Sequence, residues 1–328
     1  MDILDFDQLL SPISEDNPCG ESLRWDPAWD ELSQLRKTRK DPLDSSADTE
    51  ADWRQVMSLS SELLATRTKD LLVAGWLTEA LVREQGFAGL RDGLRLIHQL
   101  IEQYWDGLFP QIEDGDLSLR ASPLVWLTEK EGGARLPATL RTIALATSKT
   151  GTVCDCNFWH SRNAAPIGKE EEVSSYEARV ADAEARKKEF DDAVDATSLD
   201  FYRTRYAELD ECLQEIRSLS ALTDERLGDH AMSWSDLSKA VTDIQIFVRD
   251  VLKRRGGLDS ASGETDATGE TGSADGGFGG RGMTGTLRSR ADAIARLDEV
   301  ARFFSTMDPH SPVAFMIRRA IRWANMSF

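Results

Sequence analysis

The sequence predicts an all-α protein: an N-terminal helical bundle, a second helical domain, a flexible glycine-rich linker and a C-terminal helical hairpin that oligomerises. Three observations carry this. Apolar residues recur at helical spacing over most of the chain, and Asp-Pro and Ser-Pro pairs mark helix starts. Strand-like patterning is confined to one short stretch, "GTVCDCNFWH". The expected bounds are 1–166 for the bundle, 167–255 for the second domain, 256–286 for the linker and 287–328 for the hairpin.

Taken in order, "RWDPAWDELSQLRK" places Asp26 as an N-cap with Pro27 at the first helical position, where the missing N–H is not needed. Trp25, Trp29, Leu32 and Leu35 are expected to share one apolar face. Residues 42–51 read as a loop, and Trp53, Val56, Met57, Leu63 and Leu64 give the next helix. "TKDLLVAGWLTEALVREQG" reads as a helix capped at Thr68 and stopped near Gly86. Its partner carries Leu90, Leu94, Ile97, Leu100, Ile101, Tyr104 and Trp105 on one side and is closed by Pro110. Ser122 and Pro123 are expected to start the following helix.

From Lys169 the chain becomes highly charged, with sparse apolar positions at Val173, Tyr176, Val180, Phe190 and Val194, so its helix buries a narrow stripe. Leu209, Leu213, Ile216 and Leu219, then Leu237, Val241, Ile244, Phe247, Val248 and Val251, continue the helical pattern. Residues 256–286 are rich in Gly, Ser, Thr and Asp, and a random coil of about 30 residues spans on the order of 30 Å. Two short amphipathic helices follow, with Asp308-Pro309 ending the first and Ser311-Pro312 starting the second.

That hairpin is too small to supply its own core and has no cysteine to staple it. Its apolar residues Ile294, Leu297, Val300, Phe303, Phe304, Val313, Phe315, Met316, Ile317, Ile321 and Trp323 are expected to pair with other copies of the same segment. Arg318, Arg319 and Arg322 would then meet acidic residues of neighbouring copies. The competing reading is a hairpin folded back on its own chain.

Composition excludes several classes of function. The 328 residues carry a net charge of −18, which argues against nucleic acid as the main partner. No apolar run approaches the roughly 20 residues of a membrane span, and the N-terminus has no secretory pattern, so the expected location is the cytoplasm. Cys19, Cys154, Cys156 and Cys212 are too few and irregular for a disulfide framework. Cys154, Cys156 and His160 superficially suggest a metal cluster, but the spacing is wrong for zinc and a fourth ligand is missing. Cys19 has no nearby His in sequence to activate it, and "GGFGGRGMTGT" lacks the ending of a phosphate loop. No catalytic residue, cofactor or metal is expected.

The residues also carry a resemblance. "LLSPISEDNPCGESLRWDPAWDEL", with Pro12, Pro18, Gly20, Trp25, Asp26 and Pro27, resembles the opening signature of the ImpA N-terminal domain. "AGWLTEALVREQGFAGLRDGLRLIHQLIEQYWDGLFP" resembles the same domain's central helix pair. "SRADAIARLDEVARFFSTMDPHSPVAFMIRRAIRW" is similar to the C-terminal segment of type VI secretion TssA proteins. The resemblance implies a cytoplasmic, non-enzymatic component of the type VI secretion machine. It further implies a homo-oligomeric ring that associates with the baseplate, or with the end of the sheath and inner tube, and supports tail assembly. A short tail behind a long linker favours the baseplate-associated type. The alternatives are a monomeric α-helical adaptor for another protein and an enzyme on a helical scaffold.

Overall fold

Residues 67–70 are a short non-helical segment that pairs on both sides, and the N-terminal half of the protein is arranged around them. A computed structural model describes residues 2–38, 50–129, 133–147, 149, 151–161 and 173–257, together with Leu297 and Val300. On one side, Lys69 N–H donates to the Cys19 carbonyl at 2.8 Å and Glu21 N–H to the Arg67 carbonyl at 3.1 Å. On the other, Leu71 N–H donates to the Phe109 carbonyl and Phe109 N–H to the Lys69 carbonyl, both at 2.9 Å.

Helices α1 (Phe6–Leu10), α2 (Pro27–Leu35) and α3 (Trp53–Thr66) precede this segment, and α4 (Leu71–Gln85) and α5 (Phe87–Tyr104) follow it. Asp26 accepts from Ala28 N–H and Pro27 opens α2, as the sequence predicts. Helix α4 is buried without a break from Val73 to Val82, as expected for a helix hydrophobic on every side. Its cap is Asp70, not Thr68, because the Thr68 backbone is already engaged in the bridge to Gly20. Gly86, with φ +66°, ends α4 where expected. The α4 and α5 backbones then come so close that a Cβ on Gly89 would lie 2.1 Å from the Leu81 carbonyl oxygen.

Two further expectations shift. Helix α5 ends at Tyr104, well before Pro110, because Gly107 and Leu108 N–H groups both turn back to the Tyr104 carbonyl. The Phe109–Pro110 peptide is cis. Helix α6 (Ser118–Thr128) begins ahead of Ser122, leaving Pro123 inside it. Asp116 starts that helix by accepting from Ser118 N–H at 2.8 Å and Ser118 Oγ at 2.6 Å.

After α7 (Leu136–Leu140), β1 (Ala146–Thr147) and β2 (Val153–Cys154) form an antiparallel pair, with Ala146 opposite Cys154. The expected strand is thus real but two residues long, and α8 (Cys156–Ser161) takes over at Cys156. Helices α9 (Val173–Ala196), α10 (Leu199–Leu227) and α11 (Ser235–Arg254) follow. Phe158, Phe190, Phe247 and Trp159 join α8, α9 and α11 with ring centroids 5.4–6.0 Å apart. Helix α10 lies along α5, fixed by Arg91 to Glu211 at 2.8 Å, Arg95 to Glu215 at 2.9 Å, and the Cys212 thiol on the Phe87 carbonyl. Met1–Ser262 therefore form one compact unit that includes both helical segments read from the sequence. The second unit is Gly263–Phe328, of which Leu297 and Val300 are described, both helical.

Lys69 is fully buried and donates from Nζ to the Leu9 and Leu64 carbonyls, each at 2.7 Å. Burial pushes its ammonium down to about 8 from the ordinary 10.5. Between those values the unfolded chain holds a proton that the folded chain has released, so stability from this group rises with pH. Lys69→Met strands both carbonyls and is expected to cost about 2–4 kcal/mol. The gap between wild type and variant should widen from pH 8 to pH 10 in urea unfolding. A gap that stays constant or narrows would contradict this reading.

Candidate functional site

Trp25 is 90% exposed, far from its expected place on the apolar face of α2. The face is instead made by Leu32, which is fully buried, with Trp29 and Leu35 half-buried. Trp25 sits just ahead of Asp26, the N-cap of α2. The Asp26 carboxylate receives the Arg67 guanidinium at 2.6 and 3.2 Å, and Glu21 lies 3.1 Å from the same guanidinium. These contacts hold the Asp26 carboxyl below its usual range, with the Arg67 bond as the largest cause, and raise Arg67 further.

Trp25 forms one wall of an open groove of about 510 Å³, with Trp29, Leu72, Phe109, Leu119 and Pro123 among its other lining residues. Leu119, on the first turn of α6, is 43% exposed. The groove is backed by stacked rigid groups. Trp29 packs on Trp76 with ring centroids 4.7 Å apart, and the Arg36 guanidinium lies over both Trp76 and Trp126 at 4.9 and 4.7 Å. Arg36 is in turn held by Glu79 through two hydrogen bonds of 2.7 and 3.1 Å.

Arg120 fixes the far wall. Fully buried, it donates to the carbonyls of Trp105, Leu108 and Pro110 at 2.5–2.6 Å, and desolvation lowers its pKa. The loop carrying Phe109 and Pro110 is thereby locked beside Asp70. That carboxyl, pushed up by burial, accepts from Leu72 and Val73 N–H. Among the described residues lining the groove, no nucleophile is aligned with a base. What the site offers chemically is preorganised apolar surface, and burying a tryptophan of this size is worth on the order of a few kcal/mol to a partner.

Of the residues picked from the sequence, Trp25 forms the groove's edge and Asp26 and Pro27 fix it there, while Pro12, Pro18 and Gly20 belong to the loop that leads to it. Ile13 N–H closes that loop on the Pro18 carbonyl at 3.0 Å. Gly20 has φ +70°, and a Cβ there would lie 2.0 Å from the Arg67 carbonyl oxygen. Phe109, Arg67 and Lys69 escape sequence reasoning because non-helical segments carry no periodicity, and Leu119 and Arg120 because they precede the expected helix start at Ser122. Cys19 is buried, and burial raises its thiol pKa. Cys154 and Cys156 are buried while His160 is exposed against Trp159. Among the described residues, no group of three or more His, Cys, Asp or Glu could hold a metal ion, and no helix is long and apolar enough to cross a membrane.

Of the expected oligomerisation residues, Leu297 is 39% exposed and Val300 partly buried. Ile294, Phe303, Phe304, Val313, Phe315, Met316, Ile317, Arg318, Arg319, Ile321, Arg322 and Trp323 lie outside the described residues.

The division between scaffold and surface gives a direct expectation. Gly20→Ala, facing a carbonyl at a positive φ, should lower stability by at least about 2 kcal/mol. Trp25→Ala should change it by less than about 0.5 kcal/mol, because the side chain is already in water. Denaturant unfolding of the two variants checks this, and a large loss for Trp25→Ala would mean the side chain is part of the core.

Residues 10–129, which contain the whole groove, match the family described as ImpA, N-terminal, type VI secretion system. Over 97% of its length the chain is 28% identical to the type VI secretion system component TssA1 of Pseudomonas aeruginosa, covering 91% of that protein. The fold is similar to a solved structure from Burkholderia cenocepacia: the N-terminal domain, including the ImpA_N region, of the TssA component of the type VI secretion system. The TM-score is 0.64 at 28% identity, and the match covers 77% of this chain and 95% of that one. Family match, near full-length relative and fold agree: the chain is similar to TssA components of the type VI secretion system.

Proposed function

We propose that the protein is a structural, non-enzymatic, cytoplasmic part of the type VI secretion machine. Its N-terminal unit docks another component of the machine through the Trp25 groove, and its segment 287–328 assembles copies into a ring. The ring associates with the baseplate or with the sheath and inner-tube end and supports tail assembly. The observation that carries the docking role is a tryptophan left 90% exposed on a rigid mount, inside the region that matches the family. Exposed aromatic residues at the lip of an apolar groove are the usual anchors of protein interfaces. Support for the ring comes from the size argument for segment 287–328 and from its likeness to TssA C-terminal segments. The composition of residues 256–286 suits a tether between ring and docking unit.

Two measurements test this. Light scattering after gel filtration should give a large oligomer for the intact chain and a much smaller species for a truncation ending at Thr286. Equal masses for the two would refute assembly through the tail, and a monomer in both would return the monomeric adaptor. In cells relying on this chain, Trp25→Ala should depress export by the machine while leaving native mass unchanged. Full export by that variant would remove the groove from the function.

A further inference from the structure

The groove's rim carries charge as well as shape. Its lining residue Glu113 opens the turn Glu113–Asp116, closed by Asp116 N–H on the Glu113 carbonyl at 2.8 Å. Glu113 lines the groove and is exposed, as are Asp114 and Asp116 in the same turn. Asp116 is held below the usual carboxylate range, first by the Ser118 hydroxyl and then by Ser118 N–H, so it stays ionised. Asp30, which follows the lining residue Trp29 in sequence, is exposed in the first turn of α2. The cations nearby are differently placed. Arg67 is committed to Asp26 and Glu21, and Arg120 is buried under three carbonyls. Arg24, exposed, is a lining residue on the Trp25 side, 5.8 Å from that ring's centroid. The apolar trough thus has Arg24 beside Trp25 and an acidic lip where Glu113 leads into the turn with Asp114 and Asp116, on a chain whose net charge is −18.

From this geometry we infer that the groove's occupant is a short peptide segment of a partner protein, presenting an apolar side chain flanked by lysine or arginine. The inference rests on the reading of the groove as a docking site and specifies what docks there. A small molecule would be enclosed by its pocket, whereas Trp25 and Leu119 stand out into solvent and fit a surface that closes over them. Nucleic acid and anionic lipid headgroups are repelled by the Glu113–Asp116 turn. A basic amphipathic segment satisfies both halves of the site: its apolar residue covers Trp25 and Leu119, and its cation meets the lip.

The test is fluorescence anisotropy of a labelled amphipathic leucine–lysine peptide, about 14 residues long, titrated with the intact protein at physiological salt. A sister peptide with glutamate in place of lysine serves as the control. The lysine peptide should bind about tenfold or more tightly than the glutamate peptide. Trp25→Ala should abolish that binding. The double variant Glu113→Lys, Asp114→Asn should weaken it by roughly fivefold. Asn is chosen at 114 because that residue has φ +50°, which Asn tolerates. Both variants alter exposed side chains, and their unfolding midpoints confirm that they fold. Equal binding of the two peptides, lost together in Trp25→Ala, would overturn the basic partner and leave the docking groove standing. Binding of the lysine peptide that survives Trp25→Ala, or no binding of either peptide, would overturn both.

Discussion

Residues 67–70 are where the N-terminal unit is decided. Four backbone hydrogen bonds tie them and the adjoining Leu71 to 19–21 on one side and to 109 on the other. Three side chains then leave the segment in different directions: Arg67 to the Asp26 cap, Lys69 to carbonyls of α1 and α3, and Asp70 to the start of α4. Burying a lysine costs free energy that only well-made hydrogen bonds offset, and Lys69 has two carbonyl partners. Breaking any one of these links would loosen the loop that ends in Trp25 and the loop that carries Phe109 together.

The consequence is a rigid mount for an unburied side chain. Folding places Arg36 over Trp76 and Trp126, Trp29 against Trp76, and Arg120 under the 105–110 loop, so both walls of the groove are fixed. Preorganisation of this kind reduces the entropy lost on association. The ion pairs from α5 to α10 extend the same rigid body beyond the region matched by the family, so the groove is supported by helices outside that region.

Much of the fold is legible in the sequence because helices announce themselves. The periodicity of Leu90, Leu94, Ile97 and Ile101 marks the buried side of α5, and Asp26-Pro27 marks the start of α2. The misses share one cause. Thr68, Ser122 and Pro110 all look like helix boundaries locally, but hydrogen bonds made in the folded chain move each boundary: Thr68 into a bridge, α6 back to Ser118, and α5 to an earlier turn. The site is half visible. Its motif residues stand out, yet Trp25 reads as core because sequence spacing cannot tell which way a residue preceding an N-cap points. Leu119, Phe109 and Glu113 approach it only through long-range folding.

The central claim is that the groove is displayed by a scaffold locked at residues 67–70. Native-state hydrogen exchange at the amides of Glu21, Lys69, Leu71 and Phe109 tests it most directly. The account predicts that all four exchange only through global unfolding, with a common opening free energy equal to that of the whole unit. Exchange of Glu21 or Phe109 by local fraying, well below the global value, would contradict it and make the groove a mobile surface.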